Sequence, residues 1–319
     1  MKNNIFSVNS FTKALVNLGE RQGKNEKNAA RFLKQSLRSF AIPFREQTFL
    51  TKVPVFRQIS LMADGKRFSA MPTCFSNGLI RSKCAIFDAV SDMPTNLNEP
   101  FIHFNSKCRA ISRSIHSQGL SLAVSPEDAK IIRRSKMLKA TVRVRSQKYQ
   151  AINILVGNLR SPKKVIFGHY DSLGPGAFDN ASGIAVMLKT IIRDPGLLHD
   201  NLFVFAANEE LSYDRPDYWG HGYRIFEKKY LKLLQSAKQI VVVDGVGNDK
   251  TKIDTSFSVL KEAFPLKRWR TFFPKTVTLY GNLRKMLNIY HSELDTMKAV
   301  KASYLRDAGD KLLSILRKI

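Results

Sequence analysis

His169 and Asp171 follow the apolar run VIFG, Glu209 and Glu210 follow LFVFAAN, and Asp244 ends IVVV. Each group therefore stands at the carboxyl end of a short run with the length and the β-branched or aromatic content of a buried strand. In an open α/β sheet that edge is where ligands bind. Three such ends would bring an imidazole and several carboxylates into one crevice, where like charges repel and raise one another's pKa values. A divalent cation removes the conflict. One imidazole with carboxylates suits zinc, and manganese or cobalt satisfy the same ligand logic.

The segments around these positions resemble a known family. GHYDS (168–172), GAFDNASG (176–183), the Glu209–Glu210 pair, VVDGVG (242–247) and YHSELDT (290–296) are similar, in order, to the five signature blocks of the co-catalytic zinc peptidases of metallopeptidase family 28. That family includes bacterial leucyl aminopeptidase, aminopeptidase Y and glutamate carboxypeptidase. A lone HxD or EE carries little weight; five blocks in order are specific. The resemblance covers residues 149–319 and the N-terminal helix. It implies that His169 and Asp244 hold one zinc, that Glu210 and His291 hold a second, and that Asp179 bridges them. Each ion would then have three protein ligands and keep a place for water or substrate, as a catalytic zinc requires. Asp171 would accept a hydrogen bond from the nonligating nitrogen of His169 and fix its tautomer. Glu209 would be the base that takes a proton from the shared water and delivers it to the leaving amine.

The activity so implied is hydrolysis of peptide bonds by a two-zinc exopeptidase, with aminopeptidase specificity placed first because it is common in the family. A carboxypeptidase or a glutaminyl cyclase on the same fold is the second reading, although the cyclase uses one zinc. A noncatalytic binding protein, as the transferrin receptor is, is the third. The segment LSYDRPDYWGHGYRIF after the glutamate pair is longer and more aromatic than the glycine-rich stretch of many relatives, so side-chain preference does not follow. Single residues have simpler roles too: Asn180 and Ser182 shape a turn and cap a helix, and Asp295 caps the last helix. His103, His116, His199 and His221 match no motif and are read as structural or surface residues.

The runs KKVIFG, NLFVFAAN and QIVVVD alternate with helical segments, which predicts an α/β fold with a mixed, largely parallel central sheet and helices on both faces. SGIAVMLKTIIRDPG sets Ile184, Met187, Leu188, Ile191 and Ile192 on one helical face, with Ser182 as N-cap. Residues 26–40 place Ala29, Ala30, Phe32, Leu33, Leu37 and Phe40 on another, and a final helix spans 296–317. FREQTFL reads as a strand. From 52 to 148 the texture changes to short β-like pieces (VFRQISLMA, RFSAMP, KCAIFDAV, KATVRVR) with a polar loop around 91–100. The expected organisation is a discontinuous catalytic domain of residues 1–51 and 149–319, interrupted by a β-rich insertion, 52–148, of protease-associated or lid type.

The chain of 319 residues is 44% hydrophobic and 24% charged, ordinary for a globular protein. It has no apolar run near the roughly 18 residues of a membrane span. MKNNIFSVNSFTKALVNL lacks the continuous apolar stretch of a secretory signal, and Cys74, Cys84 and Cys108 form no disulfide framework, so a cytoplasmic location is expected. The net charge of +26 is abnormal. Its basic residues are spread along the whole chain, which reads as a solvated basic surface and predicts no specific nucleic-acid partner. The segment 267–275, where Trp269, Phe272 and Phe273 interleave with Lys267, Arg268, Arg270 and Lys275, is the mixture that could stack bases; more often it is a loop packing its aromatics.

Overall fold

The computed structural model describes residues 6–94, 97 and 99–318. The N-terminal residues 1–5 and part of the polar loop expected at 91–100 (residues 95, 96 and 98) lie outside the described residues. The chain divides into two compact units, one of Met1–Thr51, Tyr149–Leu283 and Asp295–Ile319, the other of Lys52–Lys148 and Arg284–Leu294. The segment carrying His291 is thus grouped with the second unit. Among the described residues no helix is long and apolar enough to cross a membrane.

The first unit is built on strands β1 (Arg45–Ala63), β2 (Leu138–Gly157), β3 (Lys164–His169), β4 (Asn201–Ala206), β5 (Gln239–Val243), β6 (Lys252–Asp254) and β7 (Thr276–Tyr280). Both β1 and β2 extend past the unit's limits into residues counted with the second. Its sheet order is β6-β7-β5-β3-β4-β2-β1. The four central strands are mutually parallel, whereas β2 runs antiparallel to β4 and β6 antiparallel to β7. β3 and β4 are buried along their whole length, which is why they read as unbroken apolar runs.

Helices α1 (Val8–Val16), α2 (Lys24–Ser39), α3 (Ser182–Arg193), α4 (His221–Lys229) and α5 (Ala302–Arg317) belong to this unit. On one sheet face Val165, Phe167, Val204 and Val242 pack with Tyr223 and Phe226 of α4 and with Phe264. The Phe167 ring meets Tyr223 and Phe226 edge-on at 5.6 and 5.1 Å, a preferred aromatic geometry. On the opposite face α3 lies so close that a Cβ on Gly168 would stand 2.7 Å from Met187 Sδ. The sheet is therefore covered on both faces, as the sequence pattern predicts.

Several local expectations are corrected. FREQTFL and VFRQISLMA form one strand, β1, and KATVRVR is part of β2, because alternation continues through the polar residues that read as turns. The last helix starts at Ala302, after a short 3-10 turn, Met297–Ala299, capped by Thr296 Oγ1. Ser182 does not cap α3. Its hydroxyl donates to the carbonyls of Phe178 and Val246 instead. β7, TVTLY, was not anticipated.

The second unit contains a four-stranded sheet ordered Met71–Pro72, Ser121–Ala123, Phe101–Phe104, Ala85–Asp88. Its core includes Leu61, Ile102, Leu120, Leu122, Val124 and Ile132. It also holds a helix, Pro126–Arg134, that the β-like texture concealed. The local signal for it is the SPED start: Ser125 Oγ accepts the Asp128 N–H at 3.1 Å, and Glu127 and Asp128 sit in the first turn, where acids favour helix initiation.

Candidate metal centre

In register, Ala206 at the end of β4 pairs with His169 at the end of β3, and Asp244 follows the last residue of the neighbouring β5. The side chains at these ends converge. His169 Nε2 lies 3.2 Å from Asp179 Oδ1 and 3.3 Å from Asp244 Oδ1. The imidazole is buried, while the two carboxylates are 15% and 23% exposed, so the group opens toward solvent on its carboxylate side. A tetrahedral cation with bonds of about 2.0 Å separates its ligand atoms by about 3.3 Å. The observed spacing therefore fits a divalent cation. A carboxylate oxygen of Glu210 lies within 4.8 Å of one on Asp179, so Asp179 faces both a His169–Asp244 pair and Glu210.

The electrostatics carry the same message. Burial alone would lower the pKa of His169, yet the carboxylates of Asp171, Asp179 and Asp244 raise it well above the usual value. The direction of the shift marks negative charge crowded around one imidazole, which a divalent cation would neutralise. Burial also pushes Glu209 well up; His169 opposes this, and Glu210, Asp171 and Asp244 add to it. A carboxylate whose pKa is raised holds a proton more readily, which suits a group that accepts and returns one.

Asp171 Oδ1 lies 3.5 Å from His169 Nδ1, on the side where an orienting carboxylate is expected. Its shorter bonds go elsewhere. Oδ1 accepts the backbone N–H of Glu209 at 3.0 Å, and Oδ2 accepts those of Glu210 at 2.9 Å and the Gln22 amide at 3.1 Å. Asp171 thus ties the loop after β3 to the glutamate pair after β4.

Asp179 sits in a kinked turn, Ala177–Ala181, in which Asp179 and Asn180 leave the helical conformation and the peptide between them is cis. Asp295 holds that turn rather than capping the last helix, because its carboxylate accepts the N–H groups of Phe178 at 2.8 Å and Asp179 at 3.0 Å. Burial and Asp179 raise the Asp295 pKa to about 7. Asn180 secures the turn to the end of β5 by donating to Val243 O at 2.8 Å and accepting from Gly245 N at 3.3 Å.

His291 lies on the 284–294 segment of the second unit. Its Nδ1 is 3.3 Å from Arg113 O and its ring stacks on Tyr290 at 3.7 Å. Donation from Nδ1 to that carbonyl leaves the lone pair on Nε2, the tautomer a metal ligand requires.

Residues 154–271, the segment with the glutamate pair, Asp179 and Asp244, match the sequence profile of peptidase family M28. That match spans 118 of the 319 residues and supports assignment of the chain to this peptidase family. No curated protein sequence matches it. Among solved structures it is similar to BSAP, a zinc aminopeptidase from Bacillus subtilis, at 15% identity and a TM-score of 0.67, covering 98% of this chain and 95% of that one. It is also similar to an aminopeptidase from Aneurinibacillus sp. strain AM-1 (14%, TM-score 0.60, 97% and 91%). A third is glutaminyl cyclase from Porphyromonas gingivalis (14%, TM-score 0.52, 98% and 98%). At these identities the likeness establishes the fold alone, a mixed α/β architecture.

The M28 sequence blocks leave out two buried charges around the site. Arg21 is fully buried and donates to the carbonyls of Tyr170, Pro175 and Gly176 at 2.6, 2.6 and 2.9 Å. Burial lowers its pKa to about 10, opposed by Asp171, Asp295, Glu210 and Asp179, so it remains a cation among carboxylates at neutral pH. Gly176, at φ 61°, gives the loop the left-handed turn this grip needs. Glu26, on α2, accepts the Tyr149 hydroxyl at 2.8 Å and the Asn208 N–H at 3.0 Å through one oxygen. Asn208, itself at φ 52°, immediately precedes Glu209. A long run of apolar neighbours marks neither residue in the sequence; both sit in stretches that read as solvated helix starts.

Proposed function

We propose that the chain is a two-zinc exopeptidase, an aminopeptidase by first preference, which hydrolyses peptide substrates with Glu209 as base. The observation that carries this is the convergence of His169 Nε2, Asp179 and Asp244 at 3.2 and 3.3 Å beside the buried Glu209. One zinc would be held by His169 and Asp244, the other by Glu210 and His291, with Asp179 shared; His291 enters by its place in the YHSELDT motif. When bound, zinc supplies acidification of the attacking water and polarisation of the scissile carbonyl. The chain's own residues do the rest. Glu209 accepts the water proton at its carboxylate and returns it to the departing amine. Asp171 holds the backbone of Glu209 and Glu210 in place and orients His169, and Asp295 fixes Asp179.

The unit assignment extends the same reading: residues 1–51 and 149–319 form the catalytic domain, and 52–148 is an inserted β-rich unit of protease-associated or lid type. Cys74, Cys84 and Cys108 are all free thiols, which supports a cytoplasmic setting.

The likeness to a glutaminyl cyclase supports a second reading, acyl transfer within an N-terminal glutaminyl residue on one zinc. A panel of N-free, N-blocked and N-terminal glutaminyl peptides, assayed with and without chelator on protein of measured zinc content, separates the two. The proposal expects about two zinc per chain and chelator-sensitive release of N-terminal residues from N-free peptides only. One zinc with ammonia release from the glutaminyl peptide would transfer the assignment to the cyclase.

A further inference from the structure

The loop after the strand Phe101–Phe104 of the second unit carries Asn105 and Ser112, two polar side chains that are wholly buried. Neither belongs to the sequence blocks of the metal centre. The loop is fastened to its own sheet: Asp88, the last residue of the strand Ala85–Asp88, accepts the Ser106 N–H at 3.1 Å, and the Asn105 amide oxygen accepts the Lys107 N–H at 2.9 Å. Its donors reach the 284–294 segment of the same unit. Asn105 Nδ2 donates to Leu287 O at 2.8 Å and to Ser112 Oγ at 3.3 Å. Ser112 Oγ donates to Tyr290 O at 2.6 Å. Its one hydrogen is thereby committed, so Ser114 Oγ is the donor in their 2.7 Å contact. Beside this, the Arg113 N–H donates to His291 O at 3.2 Å, and His291 Nδ1 stands 3.3 Å from Arg113 O. His291 itself has φ 47°, a left-handed conformation that a residue with a Cβ keeps only where its surroundings impose it.

We propose that Asn105 and Ser112 are positioning residues, which hold the 287–290 backbone so that His291 presents Nε2 to zinc; this rests on the assignment of His291 as a zinc ligand. The donors of one loop fix the carbonyls of Leu287, Tyr290 and His291. With the backbone held there, the Nδ1 contact to Arg113 O fixes the ring as well. Orienting a ligand before the ion arrives spares the cost of ordering it on binding. Removing either side chain takes a donor from a carbonyl of the segment and frees the backbone next to His291. The inserted residues thus do work that a cover over substrate would not.

The test uses the full chain, stripped of metal and then titrated with zinc against a competing chelator. Ser112→Ala removes one hydroxyl and keeps the question open should Asn105→Ala not fold. Ser121→Ala is the comparator: Ser121 is an equally buried hydroxyl of the same unit, bonded instead to Thr73. Ser112→Ala and Asn105→Ala should each weaken one of two zinc sites about 10- to 100-fold and leave the other within about twofold, the effect of removing a group that orients a single ligand. Ser121→Ala should leave both sites within about twofold, since it touches no group that orients a proposed ligand. In the metal-free proteins, hydrogen exchange across 284–294 should quicken about tenfold or more in the first two variants and stay at the parental rate in the third. Unchanged zinc affinity or unchanged exchange in Ser112→Ala and Asn105→Ala would overturn the proposal. So would an equal loss of zinc affinity in Ser121→Ala, which would mark a general loss of stability. A parent chain that binds fewer than two zinc would instead contradict the two-zinc reading, and the exchange rates would still decide whether Asn105 and Ser112 hold the segment.

Discussion

The carboxylate of Asp295 accepts the backbone N–H of Asp179 at 3.0 Å, so a residue 116 positions away in the chain fixes the side chain proposed to bridge the metals. An adjacent bond from Phe178 completes a two-point grip. Asp295→Ala should lower zinc affinity by about 10- to 100-fold, the usual effect of removing a group that orients a ligand. Asp295→Asn, which keeps one acceptor oxygen, should lose less. Zinc titration with a competing chelator measures both, and unchanged affinity in Asp295→Ala would remove Asp295 from the account.

Glu26 is expected to matter through the turn it holds. Glu26→Ala leaves the Asn208 N–H and the Tyr149 hydroxyl without their shared acceptor, and each such buried group costs about 1–3 kcal/mol. Denaturant unfolding should show a loss of about 2–5 kcal/mol, with Glu26→Gln well under half of that. A Glu26→Ala protein within about 0.5 kcal/mol of the parent would show that the turn before Glu209 is held by other contacts.

A pH dependence follows from His103 in the second unit, whose pKa burial lowers from 6.5 to about 4. The folded state keeps this imidazole neutral while the unfolded chain takes up a proton below its own pKa. Its contribution is therefore complete above about pH 6.5 and is lost as the pH falls toward 4, by about 3 kcal/mol at most. Burial and Arg113 push His116 in the same direction. Hydrogen exchange of residues 52–148 should show protection falling between pH 6.5 and 4.5, with a shallower fall in His103→Gln. Equal slopes in the two proteins would contradict the assignment.

The parts of the fold that were legible in the sequence are those where burial and residue type agree. β3, β4 and β5 are apolar along their length because both sheet faces are covered, and His169, Asp171, Glu209, Glu210 and Asp244 stand at or just beyond their carboxyl ends; Asp179 and His291 stand beyond none of these runs, and only the resemblance of their sequence blocks points to them. β7 escaped notice because Thr276 and Thr278 are buried yet polar. The capping roles of Ser182 and Asp295 were misread because each sits at the edge of a helical pattern, where a cap is the local expectation; tertiary partners 60 to 120 residues distant claim both side chains instead. Arg21 and Glu26 were hidden for the complementary reason, since a charged residue near a helix start looks solvated until the buried carboxylates and amides opposite it are known.

The central claim assigns different work to adjacent, chemically identical residues. On purified protein with matched zinc content, Glu209→Gln should retain about two zinc per chain and bind substrate normally, yet lose about 100-fold or more in turnover, because positioned proton transfer contributes about 10² to 10⁴. Glu210→Ala should instead lose zinc from one site. A Glu209→Gln protein that hydrolyses N-free peptides at the parental rate would contradict the mechanism outright.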